Sequence, residues 1–181
     1  MMPSPGMRLP RVVLFIEDDL AIRTLLCAML HQWAGAARHC LTVGVDDDAL
    51  VAITTGGDRF ICVELERIAD ALPLLATGQV DIVVLDWRIS VIPGLTNVQS
   101  LMDAMPQGNP PSCVVIISGD IGQEEGLAAI QAGATDFLQK GATFSRDFLA
   151  RVQADWARHL RYVATYEALR QLQVRTPHAH P

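Results

Sequence analysis

Three carboxylates, a hydroxyl and a lysine stand where short apolar runs end. Glu17 and Asp18 follow VVLFI at 12–16, Asp86 ends the run VDIVVLD, Ser118 closes SCVVIIS at 112–118, and Lys140 follows TDFLQ at 135–139. Carboxylates held close together repel one another, which raises their proton affinity unless a cation is present. A hard divalent cation answers that need, because Mg2+ takes oxygen ligands from one or two carboxylates and keeps room for a phosphate. A carboxylate is also a competent nucleophile toward phosphorus, giving an aspartyl phosphate. The hydroxyl and the ammonium then supply the charge stabilisation that a transferring phosphoryl group requires. Each residue taken singly reads equally well as a helix cap or a surface charge. The joint placement, each at the end of a buried run, carries the chemical reading.

The elements that must position these groups are legible from periodicity. The runs at 12–16, 80–85 and 112–118 are short, β-branched and unbroken by polar alternation, as expected for strands covered on both faces of a parallel sheet; FICVEL at 60–65 and TDFLQ at 135–139 are weaker strand candidates. Between them lie helical patterns, foremost residues 20–33, with apolar side chains at 22, 25, 26, 29, 30 and 33; ERIADALPLLAT, NVQSLMDAM and QEEGLAAIQA are shorter. Strand and helix alternating five times predicts an α/β fold with a parallel sheet and right-handed crossovers. Ligands of such sheets bind beyond the carboxyl ends of the strands, where strand order reverses.

Two segments exceed a minimal five-unit fold. Residues 35–58 form an insertion before the second strand, with Asp46, Asp47 and Asp48 reading as the acidic start of a short helix. A calcium loop there lacks the alternating oxygen ligands and following glutamate it needs. A competing assignment makes HCLTVGV the second strand. The other segment is a helix from Ser145, read as its cap, to Val174, with Leu149, Val152, Trp156, Leu160, Val163 and Tyr166 at steps of three or four. Its distal half, 156–174, is expected to extend beyond the domain, and Trp156, Leu160, Val163 and Tyr166 are candidate interface residues. Packing of the same stripe on its own domain is the alternative.

The 181 residues, half of them hydrophobic, suffice for one core of ordinary size. A net charge of −6 and a pI near 5.2 argue against a surface that grips nucleic acid. No stretch has the ~18 consecutive apolar residues of a membrane span, so no membrane insertion is expected. Cys27, Cys40, Cys62 and Cys113 show no CxxC or metal-ligand spacing and read as buried free thiols in a reducing, cytoplasmic compartment. Residues 1–10 read as a disordered leader and 175–181, with two histidines, as a disordered tail.

Over about residues 10–155 the sequence resembles the receiver domains of bacterial two-component response regulators. FIEDDLAIR is similar to the family's acidic turn, with Glu17 and Asp18 on its acid pair and Arg23 five residues after Asp18. VVLDWRI resembles the phosphoacceptor strand, with Asp86 as acceptor and Gly94 eight residues on. Ser118 takes the hydroxyl position, Gly119 the small residue after it, Lys140 the lysine 22 residues further, and Phe137 the aromatic switch position. The resemblance implies a flavodoxin-like, doubly wound five-stranded parallel sheet of order 2-1-3-4-5 over residues 11–155, to which this sequence adds the insertion at 35–58 before strand 2, not part of the usual domain, and a long C-terminal helix. It further implies Mg2+ as cofactor, held by Glu17, Asp18, Asp86 and the main-chain carbonyl of Arg88. The implied partners are a histidine kinase or histidine phosphotransfer protein, and a downstream protein, or a second copy of the chain, engaged through the final helix.

The sequence also departs from the family. Ser90 stands where proline is usual, Pro93 where an acid or polar residue is frequent, and Gly141 where a proline often follows the lysine. Arg88 sets a long cation beside the pocket mouth. These departures leave open a receiver-like scaffold or dimerisation module that does not cycle phosphate. A phosphatase-like enzyme using Asp86 as nucleophile would want a general acid two residues later, where Arg88 stands. Self-phosphorylation and slow self-dephosphorylation are then the only catalysis expected. No helix-turn-helix or catalytic output segment follows in the sequence, so a stand-alone switch working by protein contact is expected.

Overall fold

The computed structural model describes residues 10–34, 40–43, 47–55, 59–89, 94–107, 109–120 and 122–175. The elements run β1 (Val12–Ile16), α1 (Leu20–Ala34), β2 (Cys40–Val43), α2 (Asp47–Thr55), β3 (Phe60–Leu65), α3 (Ile68–Leu75), β4 (Ile82–Asp86), α4 (Gly94–Ala104), β5 (Cys113–Ser118), α5 (Gln123–Gln131), β6 (Asp136–Gln139) and α6 (Phe144–Arg175). All strand pairs are parallel and the order across the sheet is β2-β3-β1-β4-β5-β6.

The five expected strands are β1, β3, β4, β5 and β6, and among themselves they keep the order 2-1-3-4-5 of a flavodoxin-like sheet. The insertion adds a sixth strand and a short helix. β2 pairs with β3, Cys40 opposite Phe60 and Val43 opposite Val63, so both rival strand assignments form and lie side by side. The added strand covers what would otherwise be the open edge of β3. α2 begins at Asp47, while Asp46 lies outside the described residues.

Alternation along the buried strands divides the core in two. Val12, Leu14, Ile16, Ile61, Val63, Val83, Leu85, Val114 and Ile116 pack with residues of α2, α3, α4 and α5. Val13, Phe15, Phe60, Cys62, Ile82, Val84, Val115 and Ile117 face α1 and α6, meeting Leu26, Leu30, Phe148, Val152 and Trp156. Both faces of the sheet are therefore covered, which explains why the strands read as apolar runs. Each large side chain so buried contributes roughly 1.5–3 kcal/mol.

The final helix starts one residue before the expected cap. The main-chain carbonyl of Thr143 accepts the first helical bond, from the Asp147 N–H at 3.0 Å, and Ser145 lies inside the first turn. Trp156 is 2 % exposed and part of the core, so as an interface anchor it is corrected: its ring is spent inside the domain. Leu160 packs partly on the same cluster. From Arg161 onward burial fades, with Val163 and Tyr166 half-buried and Tyr162, Leu169 and Leu172 exposed. The distal helix thus runs past the sheet. No helix among the described residues is long and apolar enough to cross a membrane.

Candidate functional site

The first and third expected strands are neighbours, with Ile16 opposite Leu85, and the sheet order reverses between them. Their ends deliver the acids to one place. One carboxylate oxygen from each of Glu17, Asp18 and Asp86 lies within 4.8 Å of the others. Glu17 and Asp86 are buried and Asp18 is exposed, so the cluster is open on one side.

Local hydrogen bonds explain the placement. The Glu17 N–H donates to the Leu65 carbonyl at 3.0 Å, carrying the β1–β3 ladder one residue past the strand. Asp19 then caps α1: its Oδ1 accepts from the N–H groups of Ala21 at 2.8 Å and Ile22 at 3.1 Å. The Asp19 N–H in turn donates to Glu17 Oε1 at 3.2 Å, fixing the rotation of the buried carboxylate. Beneath the acids lies Arg23, 4 % exposed, which donates to the Glu17 carbonyl and to Glu66 Oε1 at 3.1 Å, with its Nε 3.6 Å from Glu64 Oε2. The arginine of the acidic turn therefore ties the end of β1 to the end of β3.

Lys140 crosses from the far strand. Its N–H donates to the Ser118 carbonyl at 2.6 Å, and its Nζ donates to Glu17 Oε2 at 2.6 Å and Asp86 Oδ1 at 2.9 Å. Burial disfavours the ammonium, but the bonds to Glu17 and Asp86 outweigh it and hold the lysine above its ordinary value. Burial first, and the neighbouring Asp86 carboxylate, push Glu17 up against the opposing pull of Lys140. One ammonium offsets one of three carboxylates and leaves two charges uncompensated. An all-oxygen, doubly negative cluster fits a hard divalent cation of the Mg2+ class.

The other predicted positions surround this cluster. Ser118 is buried, and its Oγ accepts from the Asp120 N–H at 3.2 Å. A Cβ on Gly119 would meet nothing within 4 Å, so open space lies beside the hydroxyl. Phe137 is half-buried, and its ring rests on α5, where a Cβ at Gly126 would come within 2.7 Å of it. The Arg88 guanidinium reaches Asp120, 3.1 Å to Oδ2 and 3.3 Å to the carbonyl; both side chains are exposed, and such a pair contributes ~0–1 kcal/mol. Trp87 explains Gly94: a Cβ there would lie 2.3 Å from the indole, so only glycine lets α4 start against the ring. Ser90 and Pro93 lie outside the described residues.

Asp120, Glu64, Glu66 and the capping role of Asp19 were not singled out in the sequence. The Asp19 cap had a signal, an acid just before a helical stripe; the partners of Arg23 and Arg88 come from other strands and had none.

A response regulator receiver domain model matches residues 43–152, more than half of the chain. The chain belongs to the response regulator receiver domain family. The matched span begins after β1 and α1 and so does not include Glu17 and Asp18. Solved structures agree on the fold. A beryllofluoride-activated NtrC4 receiver domain dimer is 18 % identical with a TM-score of 0.58, covering 82 % of this chain and 98 % of that one. A receiver domain of a putative Luxo repressor protein from Vibrio parahaemolyticus is 19 % identical, TM-score 0.57, covering 89 % and 98 %. A response regulator from Burkholderia pseudomallei, bearing a phosphorylated aspartic acid, calcium ion and citrate, is 18 % identical, TM-score 0.56, covering 88 % and 74 %. No match emerged among curated proteins.

Proposed function

We propose that this receiver is a phosphorylation switch in which Asp86 accepts a phosphoryl group from the phosphohistidine of a histidine kinase or histidine phosphotransfer protein. The observation that carries the reading is Lys140 bridging Glu17 and Asp86 at 2.6 and 2.9 Å inside a three-carboxylate cluster. An Asp86 carboxylate oxygen attacks phosphorus, the phosphorus–nitrogen bond breaks, and the donor imidazole keeps the electron pair and takes up a proton. Glu17, directly or through water, Asp18, Asp86 and the Arg88 main-chain carbonyl hold Mg2+. The ion supplies charge neutralisation for the transferring oxygens. Lys140 Nζ leaves its Asp86 contact to donate to a phosphoryl oxygen, and the Ser118 hydroxyl, which accepts from the Asp120 N–H, donates its own proton to another.

Recruitment of Ser118 draws on the space beside Gly119 and lets Phe137 change its seat on Gly126, remodelling the α5–β6 face. The output is a protein contact made by that face or by the projecting part of α6 around Val163 and Tyr166, with a second copy of the chain as one such partner. The cytoplasm, where such kinases present their phosphohistidine, is the proposed location. Intact mass after incubation with acetyl phosphate tests the reading. A Mg2+-dependent phosphoryl adduct that vanishes in Asp86→Asn supports it. A folded protein with no adduct, and no beryllofluoride binding, overturns it in favour of a phosphorylation-independent scaffold.

A further inference from the structure

A second group of ligating side chains lies on the α1 face of the sheet, away from the acids. Cys27 and His31 are four residues apart on α1, hence on one helix face, and both look down on Cys62 of β3. The reading of the cysteines as lacking metal-ligand spacing overlooked this, because the spacing runs from a cysteine to a histidine and the third member is 31 residues further on. One ligand atom from each of Cys27, His31 and Cys62 lies within 4.8 Å of the others. Cys27 Sγ is 3.7 Å from His31 Nε2. A tetrahedral zinc site with Zn–S of about 2.3 Å and Zn–N of about 2.0 Å has a sulfur–nitrogen edge of about 3.5 Å.

The fourth corner is also furnished. Thr42 Oγ1 sits 3.6 Å from Cys27 Sγ and 3.5 Å from His31 Nε2, the same edge lengths. The Glu64 carboxylate, two residues beyond Cys62 on the same strand face, places a negative charge near the Cys27 thiol. The imidazole is oriented by an edge-on contact with Phe60, ring centroids 5.7 Å apart and planes at 79°. Cys27 and Cys62 are buried thiols outside any disulfide, His31 is half-buried and Thr42 exposed, so the cluster meets solvent on the Thr42 side. Thr42 belongs to the strand the insertion adds, and a five-stranded sheet would lack that corner.

We propose that Cys27, His31 and Cys62 form a binding site for a borderline-soft divalent cation, Zn2+, with Thr42 Oγ1 at the fourth corner. Two thiolates and a neutral imidazole select zinc over the magnesium class. Each thiol releases its proton to solvent as the ion binds, and the bound ion pins α1 to β3. The site shares no ligand with the acid pocket around Asp86.

Cobalt substitution tests it on the reduced, untagged full chain. Addition of Co2+ gives a thiolate-to-cobalt charge-transfer band with intense tetrahedral visible bands, saturating at one equivalent and bleached by Zn2+. Cys27→Ser and Cys62→Ser each remove the charge-transfer band, and His31→Ala weakens binding by more than about tenfold. Cys113→Ala and Asp86→Asn leave it unchanged. Zinc-edge X-ray absorption of the loaded wild type, independent of any variant, returns two sulfur neighbours. An all-oxygen or all-nitrogen shell, a band that survives Cys62→Ser, or a Cys27–Cys62 disulfide whose reduction yields no metal binding each overturns the proposal.

Discussion

Lys140→Met isolates the electrostatic logic of the acid pocket. The substitution keeps the length of the side chain and removes two charge-assisted hydrogen bonds, 2.6 Å to Glu17 and 2.9 Å to Asp86, both on buried carboxylates. Such bonds contribute roughly 1.5–3 kcal/mol each, and stripping one partner from a buried ion pair costs about 3–5 kcal/mol. The lysine side chain is 16 % exposed and Asp18 is exposed, so screening and proton uptake by Glu17 hold the loss to about 2–4 kcal/mol. In a protein of this size each kcal/mol lowers Tm by about 2–4 °C, giving a fall of roughly 5–15 °C without added metal. The same change leaves the three carboxylates with no ammonium among them, so a cation or a proton must take its place. Mg2+ therefore binds the variant more tightly, and stabilisation by a ligand grows with its concentration over Kd. Thermal melts of wild type and variant across a Mg2+ series read both effects. A variant that loses less than about 1 kcal/mol, or gains no more from Mg2+ than the wild type, would refute the account of Lys140 as a stand-in for the cation.

Further outcomes follow from other contacts. Gly126→Ala forces the Phe137 ring aside and destabilises the native protein, whereas in a Phe137→Ala background the same change stabilises it by up to about 1 kcal/mol through helix propensity; equal effects in both backgrounds in urea unfolding would remove the ring from the argument. Asp155 is buried, and burial and then the neighbouring Asp136 carboxylate raise it from 3.8 to about 6. The folded state thus holds this proton more tightly than the unfolded one, so stability is greatest below the unfolded value and up to about 3 kcal/mol is lost as pH rises through about 6. Asp155→Asn flattens that part of the stability profile, and an unchanged slope would contradict the assignment. Trp156→Ala costs about 3–5 kcal/mol, while Leu169→Ala on the exposed end of α6 changes the stability of the dilute protein by under about 0.5 kcal/mol. Comparable losses would place the distal helix in the core.

Much of this receiver is written locally. Unbroken β-branched runs ending in Glu17, Asp86 and Ser118 announce buried strands that deliver polar groups to their ends, because a strand covered on both faces has no room for alternation. The spacing of Leu26, Leu30 and Trp33 announces a helix in the same way. The distances could not be read there. That Lys140 Nζ reaches two carboxylates more than fifty residues away depends on which strands are neighbours, and sheet order is a property of the whole chain. The insertion was recognised as extra, yet only pairing with β3 made a strand of Cys40–Val43, since a weak β segment gains its hydrogen bonds from its neighbour. Trp156 looked like an interface residue because a helical stripe does not say what covers it; the sheet lay close enough to bury the ring, while beyond Arg161 it had ended. Cys27, His31 and Cys62 were plain in the sequence as residues, and became a cluster only when α1 was laid across β3. Residue type and period fix what each segment can do alone. Convergence of side chains from different segments is fixed by packing, which sums weak preferences over the entire core.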